Sequence, residues 1–251
     1  MGGSAIRRLD QRRVIVTGAA QGIGEATARR CAQEGARLVL VDVEPAVERV
    51  AAELDAIPIT ADLREPGRAE ATVQLVRERL SGLDGLVNAA GVHRDGDVTG
   101  TSDETWSSVL DVNLVAPFQW ARATIPLMLE GQGGSIVNIA SIGATHTRPR
   151  SAAYSASKAG LLGLTRAIAI DYGRRGVRCN AISPGSVETG FLKSYVERNP
   201  AEGAKLIDLN YVGRFGTPAE IAALTAYLLA DESGFVNGEN IVVDGGRTVA
   251  G

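Results

Sequence analysis

Val14-Ile15-Val16-Thr17-Gly18-Ala19-Ala20-Gln21-Gly22-Ile23-Gly24 carries the chain from a β-branched run through a glycine-rich turn and directly into a segment of helical period. A short apolar run bounded by glycine suits a strand buried on both faces. Glycines at such a turn let the backbone bend sharply and approach a pyrophosphate, whose charge then meets the free amides and positive dipole end of the helix. Gly24 would let that helix pack closely on the sheet. The spacing is Gly-x-x-x-Gly-x-Gly, and no Gly-Lys-Ser/Thr follows to form a nucleotide-hydrolase loop. The alternative is an ordinary strand-to-helix turn with no ligand; the position directly after the first strand favours the phosphate reading.

Working outward, runs of strand character recur at 14–17, 38–42, 57–60, 85–88, 135–141, 177–183 and 240–244. Segments of helical period lie between them at 23–34, 47–54, 68–80, 103–129, 152–172 and 219–229. This alternation predicts an α/β fold, a doubly wound parallel sheet of about seven strands with helices on both faces. Thr217 and Pro218 read as a helix cap and first turn, and Gly35 as a helix stop. With no internal repeat, low-complexity stretch or Pro/Ser-rich linker, the expectation is a single domain over residues 1–251. The long connection at 184–215 is expected to be a binding flap.

Composition narrows the function. In 251 residues the apolar fraction is 45% and the charged fraction 22%, ordinary for a globular protein. A net charge of -3 and a pI near 5.6 argue against a nucleic-acid surface. Cys31 and Cys179 lie in a helical and a strand-like segment with no Cys-x-x-Cys or His-rich spacing, so neither a disulfide nor a metal site is expected. No apolar run approaches the ~20 residues that cross a bilayer. Met1-Gly2-Gly3-Ser4 has no signal-peptide core and Ile6 breaks the myristoylation pattern, so a cytoplasmic location is expected.

Asp42 closes the second strand, where a carboxylate would accept hydrogen bonds from an adenosine ribose and repel a 2'-phosphate. Val43 and Glu44 offer no cation to receive that phosphate, so the reading is NAD rather than NADP. A solvated strand-end carboxylate is the alternative. Asp62, after the third strand, could reach the adenine edge or cap a helix.

Further on, Tyr154-Ser155-Ala156-Ser157-Lys158 puts a phenol and an ammonium on one helix face. A tyrosine titrates near pH ~10, and bringing it to about 7 takes roughly 4 kcal/mol of phenolate stabilisation, which adjacent positive charge can supply.

Taken in order, Thr17 to Gly24, Asn88-Ala89-Ala90-Gly91, Asn113, Ser141, Tyr154-x-x-x-Lys158 and Pro184-Gly185 resemble the short-chain dehydrogenase/reductase family over essentially the whole chain. Val177-Arg178-Cys179-Asn180, Gly213-Arg214-Phe215 and Val243-Asp244-Gly245-Gly246 extend the likeness. The resemblance implies a single Rossmann-type domain and a catalytic set of Asn113, Ser141, Tyr154 and Lys158. Tyr154 would exchange a proton with the substrate oxygen while a hydride passes to or from nicotinamide. Lys158 would lower the tyrosine's pKa and hold the nicotinamide ribose, and Ser141 would polarise the substrate oxygen. Asn113 would distort its helix and hold a water linking Lys158 to solvent. The resemblance also assigns cofactor contacts to Gly18, Gln21, Gly22, Ile23, Gly24, Asp42, Asp62, Leu63, Asn88, Ala89, Ala90, Gly91, Tyr154, Lys158, Pro184, Gly185, Val187 and Thr189. Taken singly, a strand-ending Ser or a helical Asn is as readily a turn former or a backbone binder.

The same resemblance places the substrate among Ser141, Tyr154, the segment after Gly91 and the flap. These contribute His93, Arg94, Thr145, His146, Arg148 and Arg150, then Val187, Glu188, Phe191, Arg198, Lys205 and Arg214. Cations outnumber apolar anchors, so a small polar substrate is expected, with a carboxylate that Arg148 or Arg150 could grip. The segment from Arg178 to Phe215 is similar to that of hydroxybutyrate and keto-deoxy-sugar-acid dehydrogenases of the family.

The function expected is NAD-dependent interconversion of a secondary alcohol and a ketone on a small molecule such as a hydroxy acid, sugar acid, sugar or polyol. A 3-oxoacyl-thioester reductase is the alternative enzyme, and a non-catalytic NAD-sensing scaffold the alternative of another class. The resemblance implies a homotetramer, or a homodimer. Asn237-Gly238-Glu239-Asn240 departs from the family's usual Thr-Gly-Gln there. Ala159-Gly160-Leu161-Leu162-Gly163-Leu164 suits close packing, against another helix or against the sheet.

Overall fold

Side chains of the first strand, β1 (Arg13–Thr17), alternate between two cores, because successive residues of a strand point to opposite faces. Val14 and Val16 pack with Ala28, Cys31, Val47, Ile221 and Leu228; Ile15 packs with Val76, Leu86, Trp120 and Met128. The next strand, β2 (Arg37–Asp42), repeats the split: Leu38 and Leu40 join the first core, Val39 and Val41 the second. Each fully buried aliphatic side chain of this kind contributes about 1.5–3 kcal/mol of transfer free energy. The computed structural model describes residues 7–198 and 200–249. Residues 1–6, on which the reading of the chain start rests, and the side chains of Phe191 and Arg198 lie outside the described residues.

The remaining strands are β3 (Ile57–Thr60), β4 (Gly85–Asn88), β5 (Gly134–Ile139), β6 (Val177–Pro184) and β7 (Asn240–Val243). All seven expected strands form, in one parallel sheet of order β3-β2-β1-β4-β5-β6-β7. Helices α1 (Gly22–Gln33), α2 (Ala46–Glu53) and α9 (Pro218–Leu229) cover one core; α3 (Arg68–Leu80), α5 (Ala116–Glu130) and α6 (Ala152–Tyr172) cover the other. The result is a Rossmann-like domain. From β1 the chain moves outward to β2 and β3, then returns to the opposite side of β1 at β4. This reversal opens a crevice beyond the carboxyl ends of β1 and β4, where Thr17 and Asn88 are paired in register.

Three boundaries differ from expectation, each for a local reason. The strand expected at 135–141 stops at Ile139, since Ser141 caps a short 3₁₀ turn (Ile142–Ala144) by accepting the Gly143 amide at 3.0 Å. The helix expected at 103–129 is α4 (Asp103–Leu110), a π-helical turn (Asp111–Val115) and α5. A regular helix would drive the ring of Pro117 into the carbonyl of Asn113, four residues back, and the wider turn relieves that clash. The connection 184–215 holds two helices, α7 (Gly190–Arg198) and α8 (Pro200–Asp208), and is anchored at both ends by mutual backbone hydrogen bonds of the 186–188 segment with Gly216.

Thr217 does cap α9: its hydroxyl accepts the Glu220 amide while Glu220 Oε2 accepts the Thr217 amide at 2.7 Å. Cys31 and Cys179 are buried free thiols, pushed up to about 12 by burial. Gly160 faces Leu114, and Leu161 and Leu162 are buried in the domain, whereas Ala159 is exposed and a Cβ on Gly163 would meet no atom within 4 Å. Among the described residues, no helix is long and apolar enough to cross a membrane.

Candidate active site

At the first crevice wall the backbone leaves no room for side chains. A Cβ on Gly18 would sit 2.6 Å from the backbone of Ala90, and one on Gly24 only 1.9 Å from the carbonyl oxygen of Gly18. Gly18 and Gly22 have φ of 67° and 59°, a region glycine enters without penalty. α1 starts without a side-chain cap, whereas Ser102 and Thr217 cap α4 and α9. Its first amides therefore have no side-chain acceptor, and the bare loop in front of them fits a pyrophosphate.

Asp42 is 9% exposed, and its carboxylate accepts the amides of Ala20 at 2.9 Å and Glu44 at 3.0 Å. It thus ties the end of β2 to the glycine loop, with lone pairs left for a ribose hydroxyl. Asp62 is held by Arg64, accepting its amide at 2.9 Å and pairing with Nη2 at 2.6 Å, and this keeps its carboxyl below the usual range. It caps no helix, since Gly67 stands at the start of α3. Leu63 is buried in the second core.

The side chain of Asn88 turns into the sheet, donating to Asn138 Oδ1 at 2.8 Å; Asn138 in turn donates to Thr165. Ala90 is the floor that Gly18 touches. The base of the flap rests on the same loop, with Thr189 against Gly22 and Gly190 against Gln21.

On the other wall, α6 presents Tyr154 and Lys158 on one face, as their spacing requires. Lys158 Nζ stands 5.9 Å from the centroid of the Tyr154 ring and donates to the Ile139 carbonyl at 2.7 Å. Burial pulls Lys158 down to about 8. Tyr154 moves opposite to expectation: burial raises the phenol, and the hydrogen bond with Ser141 and the charge of Arg148 only partly offset it. Desolvation of both groups, rather than attraction between them, governs the pair in this structure.

Asn113 is fully buried in the π-helical turn. Its Oδ1 accepts from Val92 N, and its Nδ2 donates to Val92 O, both at 2.9 Å; Nδ2 also donates to Ser157 Oγ at 3.0 Å. Ser157 Oγ in turn donates to the Tyr154 carbonyl at 2.7 Å. One amide thus locks the strand-four exit to the start of α6, directly under Tyr154.

Between the walls lies a cavity of about 610 Å³, lined among others by Ile23, Ala89, Gly91, Ser141, Tyr154, Lys158, Pro184, Gly185, Val187 and Thr189. His93, Arg94, His146 and Arg148 also line it. His93 packs edge-on against Tyr154, ring centroids 4.7 Å apart. Its Nε2 lies 3.1 Å from both Ser151 Oγ and Arg148 Nη2. A guanidinium can only donate, so Nε2 is the acceptor and Nδ1 carries the proton. Burial, aided by Arg148, lowers the His93 pKa.

Five described residues among the expected substrate contacts, Thr145, Arg150, Glu188, Lys205 and Arg214, do not line this cavity. Arg214 pairs with Glu220 at 2.6 Å, a contact that holds Glu220 at about 2. Arg150 is an exposed corner residue with φ of 58°, its carbonyl accepting from Gly96. Lys205 is likewise not among the lining residues, whereas Leu192 and Leu206 of the flap are. Arg247, which the sequence reading passed over, reaches in from the C-terminal segment and donates to Ser186 at 3.1 Å. Its signal was the preceding Gly245-Gly246 pair, which turns the chain back over the sheet.

A phenol, an ammonium and a hydroxyl gathered beside the switch point of a doubly wound sheet suit proton exchange next to a bound dinucleotide, the plan of a nicotinamide-dependent oxidoreductase. A family model described as "Enoyl-(Acyl carrier protein) reductase" matches residues 18–248. The chain is 37% identical to the meso-2,3-butanediol dehydrogenase of Serratia marcescens, over 97% of each chain. It is 36% identical to the 2-keto-3-deoxy-L-fuconate dehydrogenase of Xanthomonas campestris, over 95% of this chain and 81% of that one. Among solved structures, a Beutenbergia cavernae protein described as a candidate NAD(P)-dependent gluconate 5-dehydrogenase, with NADP at low occupancy, superposes with a TM-score of 0.91. That pair shares 32% identity over 96% of this chain and 98% of the other. The chain belongs to the short-chain dehydrogenase/reductase family of oxidoreductases.

Proposed function

We propose that this protein interconverts a secondary alcohol and a ketone on a small polar molecule, with NAD as its cofactor and Tyr154 as general acid/base. The observation that carries the reading is the convergence of Ser141, Tyr154 and Lys158 on one cavity that opens from the glycine cradle. NAD, when bound, supplies the hydride acceptor for alcohol oxidation and, reduced, the hydride donor. Tyr154 takes the proton from the alcohol oxygen or returns it to the forming alkoxide. Ser141, which lines the same cavity as the phenol, holds the same oxygen.

Lys158 holds the nicotinamide ribose and brings positive charge to the phenolate. Asn113 positions α6 and orders a water between Lys158 and solvent. Gly18, Gln21, Gly22, Ile23 and Gly24 take the pyrophosphate, Asp42 the adenosine ribose, and Asn88 to Gly91 floor it; Asp62 and Leu63 offer backbone groups to the adenine. Pro184, Gly185, Val187 and Thr189 border the nicotinamide, and the flap at 184–215 covers the substrate. His93 and His146 serve as polar walls.

The NAD choice rests on Asp42, whose carboxylate would repel a 2'-phosphate. The protein acts as a homotetramer in the cytoplasm; Phe118 and Ile170 at 46% and 79% exposure, and Phe235 fully exposed, are apolar surface suited to subunit contacts.

A second reading, reduction of an acyl thioester, is favoured by the description of the matching family model. It calls for NADP, against the charge of Asp42. Titration with NAD and NADP, followed by steady-state assay of polyols, hydroxy acids, sugar acids and acyl thioesters, separates the two. NAD-dependent turnover of an alcohol is expected, and NADP-dependent turnover of thioesters alone contradicts it. Tyr154→Phe is expected to lower kcat by about 10²–10⁴-fold with NAD affinity retained.

A further inference from the structure

Among the described residues, the cavity beside Tyr154 is lined by four cationic side chains, Arg94, Arg148, Lys158 and Arg247, and by neither an Asp nor a Glu. Lys158 is accounted for by the Ile139 carbonyl and Tyr154. Arg94 turns back on its own chain, donating to the His93 carbonyl at 3.0 Å. Arg148 and Arg247 remain. Arg148 comes from the loop before α6, where it touches His93 and lies 3.6 Å from Asp95.

Arg247 is aimed by the turn after β7. Gly245 and Gly246 have φ of 65° and 85°, and the Asp244 carboxylate accepts the amides of Gly246 at 2.9 Å and Thr248 at 2.8 Å. A Cβ on Gly245 would lie 2.7 Å from the Val212 side chain, and its positive φ is one that glycine enters most readily. The carboxylate is thus engaged by its own turn, and Arg247 makes no ion pair among the described residues. Among the described residues its side chain donates to the neutral Ser186 hydroxyl. It is half-buried, and burial outweighs the opposing charges of Arg148 and Asp244 in lowering its pKa. Arg148 is exposed and lies 3.6 Å from Asp95, whereas the half-buried Arg247 has no carboxylate partner among the described residues, so an anion entering the cavity they both line would meet both charges.

We infer that Arg247 and Arg148 together bind the carboxylate of the substrate, so that the molecule oxidised or reduced at Tyr154 is a small hydroxy acid or its oxo acid. The inference rests on the oxidoreductase reading above. It moves the carboxylate contact from Arg150, which is outside the cavity, to a residue of the C-terminal segment. Arg247 is a specificity-determining residue: it selects the acid without touching the proton or hydride path. The Asp244-Gly245-Gly246 turn acquires a role, placing a cation that a straight continuation of β7 would carry away from the site.

The test uses the full chain with NADH and oxo acids of four to six carbons, each against its methyl ester. Wild type is expected to favour acid over ester by at least about tenfold in kcat/KM, the worth of a charge-assisted contact. Arg247→Gln should raise KM for the acid by about 10- to 100-fold, the loss of a hydrogen bond to a charged group, with KM for the ester and for NADH unchanged. Arg247→Lys should restore part of the preference, and Arg150→Gln should leave it intact. Calorimetric titration of 2- and 3-hydroxybutyrate into protein with NADH, a pairing that cannot react, should show the same loss for Arg247→Gln.

Equal kcat/KM for acid and ester in wild type, an Arg247→Gln variant unchanged toward the acid, or one that loses acid and ester alike would overturn the inference. Turnover of neutral alcohols without acids would refute it while leaving the oxidoreductase reading standing. No turnover of any alcohol or ketone, with hydroxybutyrate binding still dependent on Arg247, would refute that reading and leave the anion site.

Discussion

Lys158 donates its ammonium to the carbonyl of Ile139 at 2.7 Å, in a site that leaves it 4% exposed. A lysine so placed carries a desolvation cost that the single hydrogen bond does not repay, and its pKa falls from the ordinary 10.5 to about 8. Between those values the unfolded chain binds more protons than the folded one, so folding stability rises with pH in that window. Below about 8 both states are protonated and the cost is fully present; above 10.5 both are neutral and it is gone. The stability gap between Lys158→Met and wild type should therefore shift, in favour of wild type, by on the order of 3 kcal/mol from pH 7 to pH 10.5. Urea unfolding at a series of pH values reads this directly, and parallel curves for the two proteins would contradict it.

Asn113→Ala should destabilise the fold by about 2–4 kcal/mol, because it orphans both backbone groups of Val92 and leaves Ser157 without its donor. Activity should fall further than stability accounts for, since α6 loses the brace beneath Tyr154. Denaturant melts and kcat at a temperature where the variant is fully folded separate the two effects.

Asp42→Ser removes the charge that meets a 2'-phosphate and should improve NADP affinity relative to NAD by about tenfold, roughly 1.4 kcal/mol. It should also lower stability by about 1 kcal/mol, because the Ala20 and Glu44 amides share a weaker acceptor. An unaltered NAD to NADP ratio in fluorescence titrations would remove Asp42 from cofactor selection.

At Gly24 an added methyl would lie inside contact distance of a backbone carbonyl, which cannot rotate away as a side chain could. Gly24→Ala should cost about 3 kcal/mol or more and, in whatever fraction folds, weaken NAD binding by displacing the loop. Gly67→Ala meets no atom within 4 Å and serves as a glycine control, showing only the smaller strain of its φ of 76°. Comparable melting temperatures for the two variants would argue against the close packing of Gly24 on Gly18.

Much was legible in the chain itself. The unbroken β-branched run of Val14, Ile15 and Val16 and the helical period from Ile23 onward are local patterns, and local backbone preference together with burial turns them into β1 and α1. Tyr154 and Lys158 share a face because four residues nearly complete a helical turn. The glycines at 18, 22 and 24 announce close approach, and the structure names what they approach: Ala90 and the carbonyl of Gly18 itself.

What depended on distant parts of the chain was decided only by the tertiary structure. The π-helical turn at Asn113 needs Pro117 ahead of it and Val92 beside it. Charge alone did not separate Arg148 from Arg150 and Arg214, because each is a cation on a loop; a hydrogen bond to His93 brings the first to the cavity, while a corner and Glu220 keep the others out. Arg247 reaches the same space only because two left-handed glycines reverse the chain after β7. The sign of the Tyr154 shift likewise follows from how deeply the phenol is buried, a property of the packed fold. Local pattern determines which elements form and which residues share a face; which side chains meet, and in how much water, is decided by where the sheet brings its edges together.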